Sequence, residues 1–262
     1  MSFSGLLFYG ALLAAANLLG GLILLSSGAR RRSERSLSYL IALGAGFMLA
    51  AIFIEIVPEV VHLWRAEGSA AEAAGSVLGA MTVLLAGYLM IHFFEHTIAP
   101  HFHFGAETHP ESVLPPSAAY TAISGLTIHT FFDGVSIAAA FLVSFKVGLL
   151  VFIAILLHKV PEGFTAASIM LASGRSKRKA QIATLAIGAA SLAGVVSVAL
   201  LKSRADGVIA YALPFSAGVT LYVAASDLIP EVNHREERNP LVSLCVFGGV
   251  ALFYALHHLI EG

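Results

Sequence analysis

Eight apolar stretches, each long enough to cross a bilayer as a helix, occupy most of this 262-residue chain. About 20 apolar residues in helical form cover the hydrocarbon layer. The stretches run over residues 4–26, 37–62, 76–98, 118–143, 147–172, 180–201, 206–231 and 240–260. They are continuous rather than alternating, and a spanning segment must satisfy its own backbone, so helices are expected and strands are not. Only 12% of the residues are charged, against roughly a quarter in soluble domains, so a water-facing surface would be short of charge. The expected class is an all-α polytopic membrane protein with eight transmembrane helices, forming a single transmembrane domain over residues 1–262.

The charge pattern orients the spans and narrows the partners. Fifteen basic residues against sixteen acidic ones offer nothing for nucleic acid, and one cysteine, Cys245, excludes an intramolecular disulfide and a Cys-based zinc site. Ten Lys and Arg residues (Arg30, Arg31, Arg32, Arg35, Arg175, Lys177, Arg178, Lys179, Arg235, Arg238) fall in connections on one side, and four (Arg65, Lys146, Lys202, Arg204) on the other. Basic loops stay in the cytoplasm, which places both termini outside it. No phosphate-binding Gly-rich motif is present, so neither a nucleotide nor any other organic cofactor is expected. The expected location is a plasma membrane or a bacterial inner membrane, with lipid as the surrounding partner.

An internal repeat organises the chain. Residues 44–60 (GAGFMLAAIFIEIVPEV) and 216–232 (SAGVTLYVAASDLIPEV) align without gaps, matching Ala45/Ala217, Gly46/Gly218, Leu49/Leu221 and a terminal Pro-Glu-Val. Glu55 falls opposite Asp227. Tyr88, His92 and Glu95 have the spacing of Tyr254, His258 and Glu261. Residues 1–97 and 176–262 therefore read as two copies of a three-span unit, five spans apart and so inverted relative to each other, around a central pair at 118–172. Inverted repeats of this kind suit carriers that bind substrate at mid-membrane. Residues 98–117 form a cytoplasmic, His-containing loop.

The central pair carries the densest chemistry. Span 4 contains His129-Thr130-Phe131-Phe132-Asp133-Gly134, and span 5 contains His158-Lys159-Val160-Pro161-Glu162-Gly163. Each places a histidine and a carboxylate four residues apart, on one helical face. Two facing helices then offer two nitrogens and two oxygens, a set that suits Zn²⁺, with Fe²⁺, Mn²⁺ or Cd²⁺ as further cargo. Pro161 removes the donor for the Leu157 carbonyl, and such a carbonyl at membrane depth is tolerated where it lines a cavity. The competing interpretation pairs His129 with Asp133 and His158 with Glu162 as buried structural contacts. Two further classes use the same residues: an intramembrane metal-dependent hydrolase and a metal-sensing membrane protein.

At these residues the chain resembles the ZIP family of divalent-metal transporters, through His-x-x-x-Asp-Gly in span 4 and His-x-x-Pro-Glu-Gly in span 5. The resemblance implies eight spans, outward termini, a non-enzymatic transport function towards the cytoplasm by alternating access, and metal ligation by His129, Asp133, His158 and Glu162. Some members hold a second metal, using a polar or acidic neighbour of each signature histidine and a glutamate in span 6. Here the neighbours are Thr130 and Lys159, and span 6 has no carboxylate, so a single site is expected with the Lys159 ammonium replacing the second metal beside Glu162 or Asp133.

The remaining ionisable residues fall near span ends. Glu55 and Glu59 on span 2, and Asp227 and Glu231 on span 7, are candidates for a pathway at either side of the membrane, with helix-end capping beside Pro58 and Pro230 as the alternative. His92, Glu95 and His96 on span 3, His101 and His103 in the loop, and His257, His258 and Glu261 on span 8 are candidates for peripheral metal capture. Small-residue faces such as Gly20-Gly21 and Gly248-Gly249 can pack helices within one protomer or between two, which makes a homodimer a candidate assembly.

Overall fold

The computed structural model describes residues 1–25, 30–65, 70–98, 116–201, 205–235 and 239–261, and every regular element among them is helical. Eight helical segments are long and apolar enough to span: Phe3–Leu25, Ser38–Trp64, Ser76–Thr97, Ala119–Val143, Phe145–Leu171, Lys177–Leu200, Ala210–Asn233 and Pro240–Ile260, numbered spans 1 to 8. Their ends lie within four residues of the apolar stretches. Caps account for two of the differences. Ser144 Oγ accepts the Val147 N–H at 3.1 Å and starts the span 5 helix at Phe145. Ser176 Oγ accepts the Lys179 N–H, so span 6 begins in its polar Lys177–Lys179 turn, ahead of its apolar run.

The distribution of side chains is that of a lipid-facing exterior around a polar interior. Leu78, Leu200, Phe247 and Leu259 are each at least 70% exposed. His129, Asp133, His158, Lys159 and Glu162 are at most 5% exposed. A protein in water would be penalised on both counts. The protein is an integral membrane protein.

Four helix pairs close through reciprocal glycine contacts. Span 1 meets span 5 at Gly20 and Gly163, span 4 meets span 6 at Gly134 and Gly194, span 2 meets span 8 at Gly46 and Gly249, and span 3 meets span 7 at Gly87 and Gly218. A Cβ at any of these eight glycines would lie 1.9–2.1 Å from a carbonyl oxygen of the facing helix. Only a residue without a side chain permits that approach. The Gly20-Gly21 and Gly248-Gly249 faces are thus used inside the protomer, with Gly21 against Thr184 and Gly249 against Leu43.

Among the described residues, three spans contain a π-helical segment: Ala51–Ile56, Phe94–Ile98 and Val223–Leu228. The first and third start 172 residues apart, the offset that aligns Gly46 with Gly218. The Val57 N–H reaches Ile52 O and the Ile229 N–H reaches Ala224 O, each five residues back. Each widened turn lies just before a proline, Pro58 or Pro230, that has no N–H to give to the regular ladder. Glu55 and Asp227 hold the fifth position of their segments.

Candidate metal site

Spans 4 and 5 run antiparallel side by side, and the glycine seams bring their outer flanks against spans 6 and 1. Span 5 remains one helix from Phe145 to Ala172 with Pro161 inside it. That continuity keeps His158 and Glu162 on one face, as the uninterrupted helix Pro116–Val143 does for His129 and Asp133.

These four side chains meet between the helices. One ligand atom from each of His129, Asp133, His158 and Glu162 lies within 4.8 Å of the other three, and all four residues are buried. Tetrahedral zinc with nitrogen and oxygen ligands at about 2.0–2.2 Å separates its ligand atoms by roughly 3.3 Å. Closing the set on an ion thus draws the ligand atoms together by on the order of 1 Å. His129 Nδ1 and Nε2, Asp133 Oδ1 and His158 Nε2 are buried with no hydrogen-bond partner among the described residues. Buried polar atoms without partners are costly, and a cation would satisfy Asp133 Oδ1 together with one nitrogen of each imidazole. His158 Nδ1 faces the Ala154 carbonyl at 3.4 Å, which turns Nε2 towards Asp133 and Glu162.

Lys159 occupies the centre of this group. Its Nζ lies 2.5 Å from both Asp133 Oδ2 and Glu162 Oε2, and it is fully buried. Thr130 Oγ1 donates to the other Glu162 oxygen, Oε1. His129 Nε2 is 3.2 Å and His158 Nε2 3.5 Å from Asp133 Oδ2. Two carboxylates face one ammonium in this pocket, an excess of one acidic group over the fixed positive charge. Such an excess, when ionised and buried, needs a compensating cation.

The other ionisable residues form two separate groups, one at each end of the helices. At the end where span 4 turns into span 5, Glu55 Oε2 lies 2.9 Å from His257 Nδ1, and Glu55 Oε1 lies 3.7 Å from Lys146 Nζ. Glu59, one turn on, is half-buried and His258 exposed. At the opposite end Asp227 lies in the field of Glu95 and Glu231, and Tyr222 donates a hydrogen bond to Glu95. The Tyr88 hydroxyl and Ser226 Oγ are 2.8 Å apart, and the His92 and His96 rings lie tilted at 33° with centroids 4.0 Å apart. His101 and His103 lie outside the described residues, and Glu261 ends the span 8 helix. Two polar residues escaped the sequence reading. Lys146 registered only as a basic residue in a short connection, although its place in the first turn of span 5 puts it at the Glu55 end. Ser136, 1% exposed, continues the stripe of His129 and Asp133 at the next helical turn, and its hydroxyl has no partner among the described residues.

The comparisons with known proteins agree with this architecture. The sequence model of the ZIP zinc transporter family matches residues 113–257, which include both signature helices. The chain is 30% identical over 236 residues to the zinc transporter ZIP9-B of Xenopus laevis, covering 76% of this chain and 77% of that protein. It is 29% identical over 234 residues to the zinc transporter ZIP9 of Xenopus tropicalis, with the same coverage. To the zinc transporter SLC39A7 of Mus musculus it is 33% identical over 153 residues, 54% of this chain and 32% of that one. Members of this family are transporters rather than enzymes. A match to more than half of the chain, on a bundle of eight spanning helices, makes this protein a member of the ZIP zinc transporter family.

Proposed function

We propose that this chain carries Zn²⁺ towards the cytoplasm by alternating access, through one intramembrane site formed by His129, Asp133, His158 and Glu162. The observation that carries the proposal is the convergence of these four buried side chains, one ligand atom from each within 4.8 Å of the other three. Fe²⁺, Mn²⁺ and Cd²⁺ suit the same donors. The hydrolase reading loses its ground with family membership, and the sensor reading explains no part of the repeat.

Lys159 supplies the charge that a second metal would otherwise bring. Its ammonium neutralises Asp133 Oδ2 and Glu162 Oε2 between transport events, while Asp133 Oδ1 and the imidazole nitrogens receive the ion. With the ion bound, two positive charges join a pocket with one acidic group in excess of its ammonium. The loaded site is therefore less stable than a zinc site held by two carboxylates alone. A carrier benefits, because cargo held too tightly is not released.

Alternating access would use the two inverted units. The equal offset of the two π segments and the reciprocal seams support that reading, since one rearrangement is then available in mirrored form at each end. Glu55 and Glu59 serve the outer half-path, and Asp227 and Glu231 the inner one, with His92, Glu95 and His96 beside them. Glu261, His101, His103, His257 and His258 remain as peripheral capture residues.

The deciding experiment is radioactive zinc flux into proteoliposomes, wild type against His158→Ala at equal incorporation. Saturable flux that collapses to the protein-free leak in the variant is expected. Wild-type binding without flux would return the protein to the sensor class, and flux surviving the substitution would move the site elsewhere. Lys159→Ala is expected to raise the bound metal from one to two per chain in the same preparation.

A further inference from the structure

Three spans meet at Glu55. It belongs to the π segment of span 2, its Oε2 faces His257 of span 8 at 2.9 Å, and its Oε1 faces Lys146 of span 5 at 3.7 Å. The acid is 8% exposed and the lysine side chain 29% exposed, so the lysine is the more accessible of the two. We propose that Glu55 and His257 form an outer loading site for the divalent cation and that Lys146 is its tethered competitor, displaced by each arriving ion. The inference rests on the reading of the chain as a metal carrier and supplies the stage before the central site.

The donor chemistry supports it. One carboxylate and one imidazole repeat the pair found twice at mid-bundle. Two protein ligands completed by water hold an ion loosely, which suits a stage that must pass it on. A protonated lysine cannot ligate metal, but it competes for the same carboxylate and swings away on a flexible stem. Competition of this kind selects by charge. A monovalent ion brings Glu55 no more than the ammonium already supplies, whereas a divalent ion brings twice the charge. One helical turn from Asp133 towards the span 4–span 5 connection, Ser136 offers a buried hydroxyl without a partner among the described residues. The arrangement at the centre is the same in kind: a lysine rests on the acid that the metal would use.

Two measurements test the proposal. In proteoliposomes, Lys146→Met is expected to lower the KM for zinc about fivefold, the order expected for a partly exposed charge pair. Lys146→Arg should restore the wild-type KM, and Lys146→Met combined with Glu55→Gln should lose the gain. An unchanged KM in Lys146→Met, or a gain that persists without Glu55, overturns the competitor. The second measurement is equilibrium zinc binding in detergent, on a His129→Ala/His158→Ala background. Here Glu55→Gln should remove one weakly bound zinc per chain, and Lys146→Met should tighten that same zinc. Identical binding with and without Glu55 overturns the loading site. Should wild-type vesicles carry no zinc, the transport reading fails alone, and the detergent titration still decides the outer site. Size-exclusion profiles and the Arg variant separate a loss of fold from a loss of competition.

Discussion

Glu55 and Asp227 hold the same position in two π segments 172 residues apart, yet their neighbours carry opposite charge. Glu55 is paired with Lys146 and His257, while Asp227 lies among Glu95 and Glu231. An acid held by an ammonium is partly neutralised before an ion arrives, whereas acids crowded together repel one another until a proton or a cation joins them. The backbone frame is shared between the two ends; what differs is the side chain set in front of each acid. On the inverted-repeat reading proposed above, such differences would be enough to distinguish the two ends.

The comparison can be broken first at the frame. Gly46→Val and Gly218→Val should both prevent recovery of monodisperse protein, because each forces a side chain into a carbonyl oxygen of the facing helix. If one is tolerated and the other is not, the two ends do not share a frame. The next effect concerns the inner acid. Asp227→Asn should lower maximal zinc uptake about tenfold, the order seen when an ion-handling group is neutralised. Glu55→Gln should act through KM instead, raising it about fivefold, since it removes a loading ligand together with its competitor. Equal effects of the two substitutions on the same kinetic parameter would dissolve the distinction between the ends. The smallest effect belongs to Tyr88→Phe, which removes the contact with Ser226 and should cost about 1 kcal/mol of stability. A lowered unfolding midpoint in detergent would register it.

Much of this architecture was legible in the sequence, for physical reasons that also mark the limit. Spans are readable because the bilayer demands about 20 consecutive apolar residues, and His129/Asp133 or His158/Glu162 because four residues make one turn. Cap positions were not read, so spans 5 and 6 began later in the sequence reading than Phe145 and Lys177. Contacts across helices were less accessible. The sequence left open whether Lys159 pairs with Asp133 or Glu162, and in the structure it touches both. Nothing in the local pattern joins Lys146 to Glu55 or Thr130 to Glu162, since those meetings depend on helix rotation and depth. The π segments were also out of reach, although a proline two residues past each segment was a usable sign.

The glycine seams carry a consequence for how such a chain can vary over generations. Where spans 1 and 6 meet the helices that carry the His129/Asp133 and His158/Glu162 pairs, backbone rests on backbone at Gly20, Gly163, Gly134 and Gly194. Interlocking side chains would tie each ligand's position to many neighbours, so that drift in any of them would move it. Here the register is held by positions that admit one amino acid, and the surrounding lipid-facing residues are free to exchange among apolar types. The ligand geometry is therefore insulated from most substitutions in the bundle and exposed to a single added methyl group at a few points.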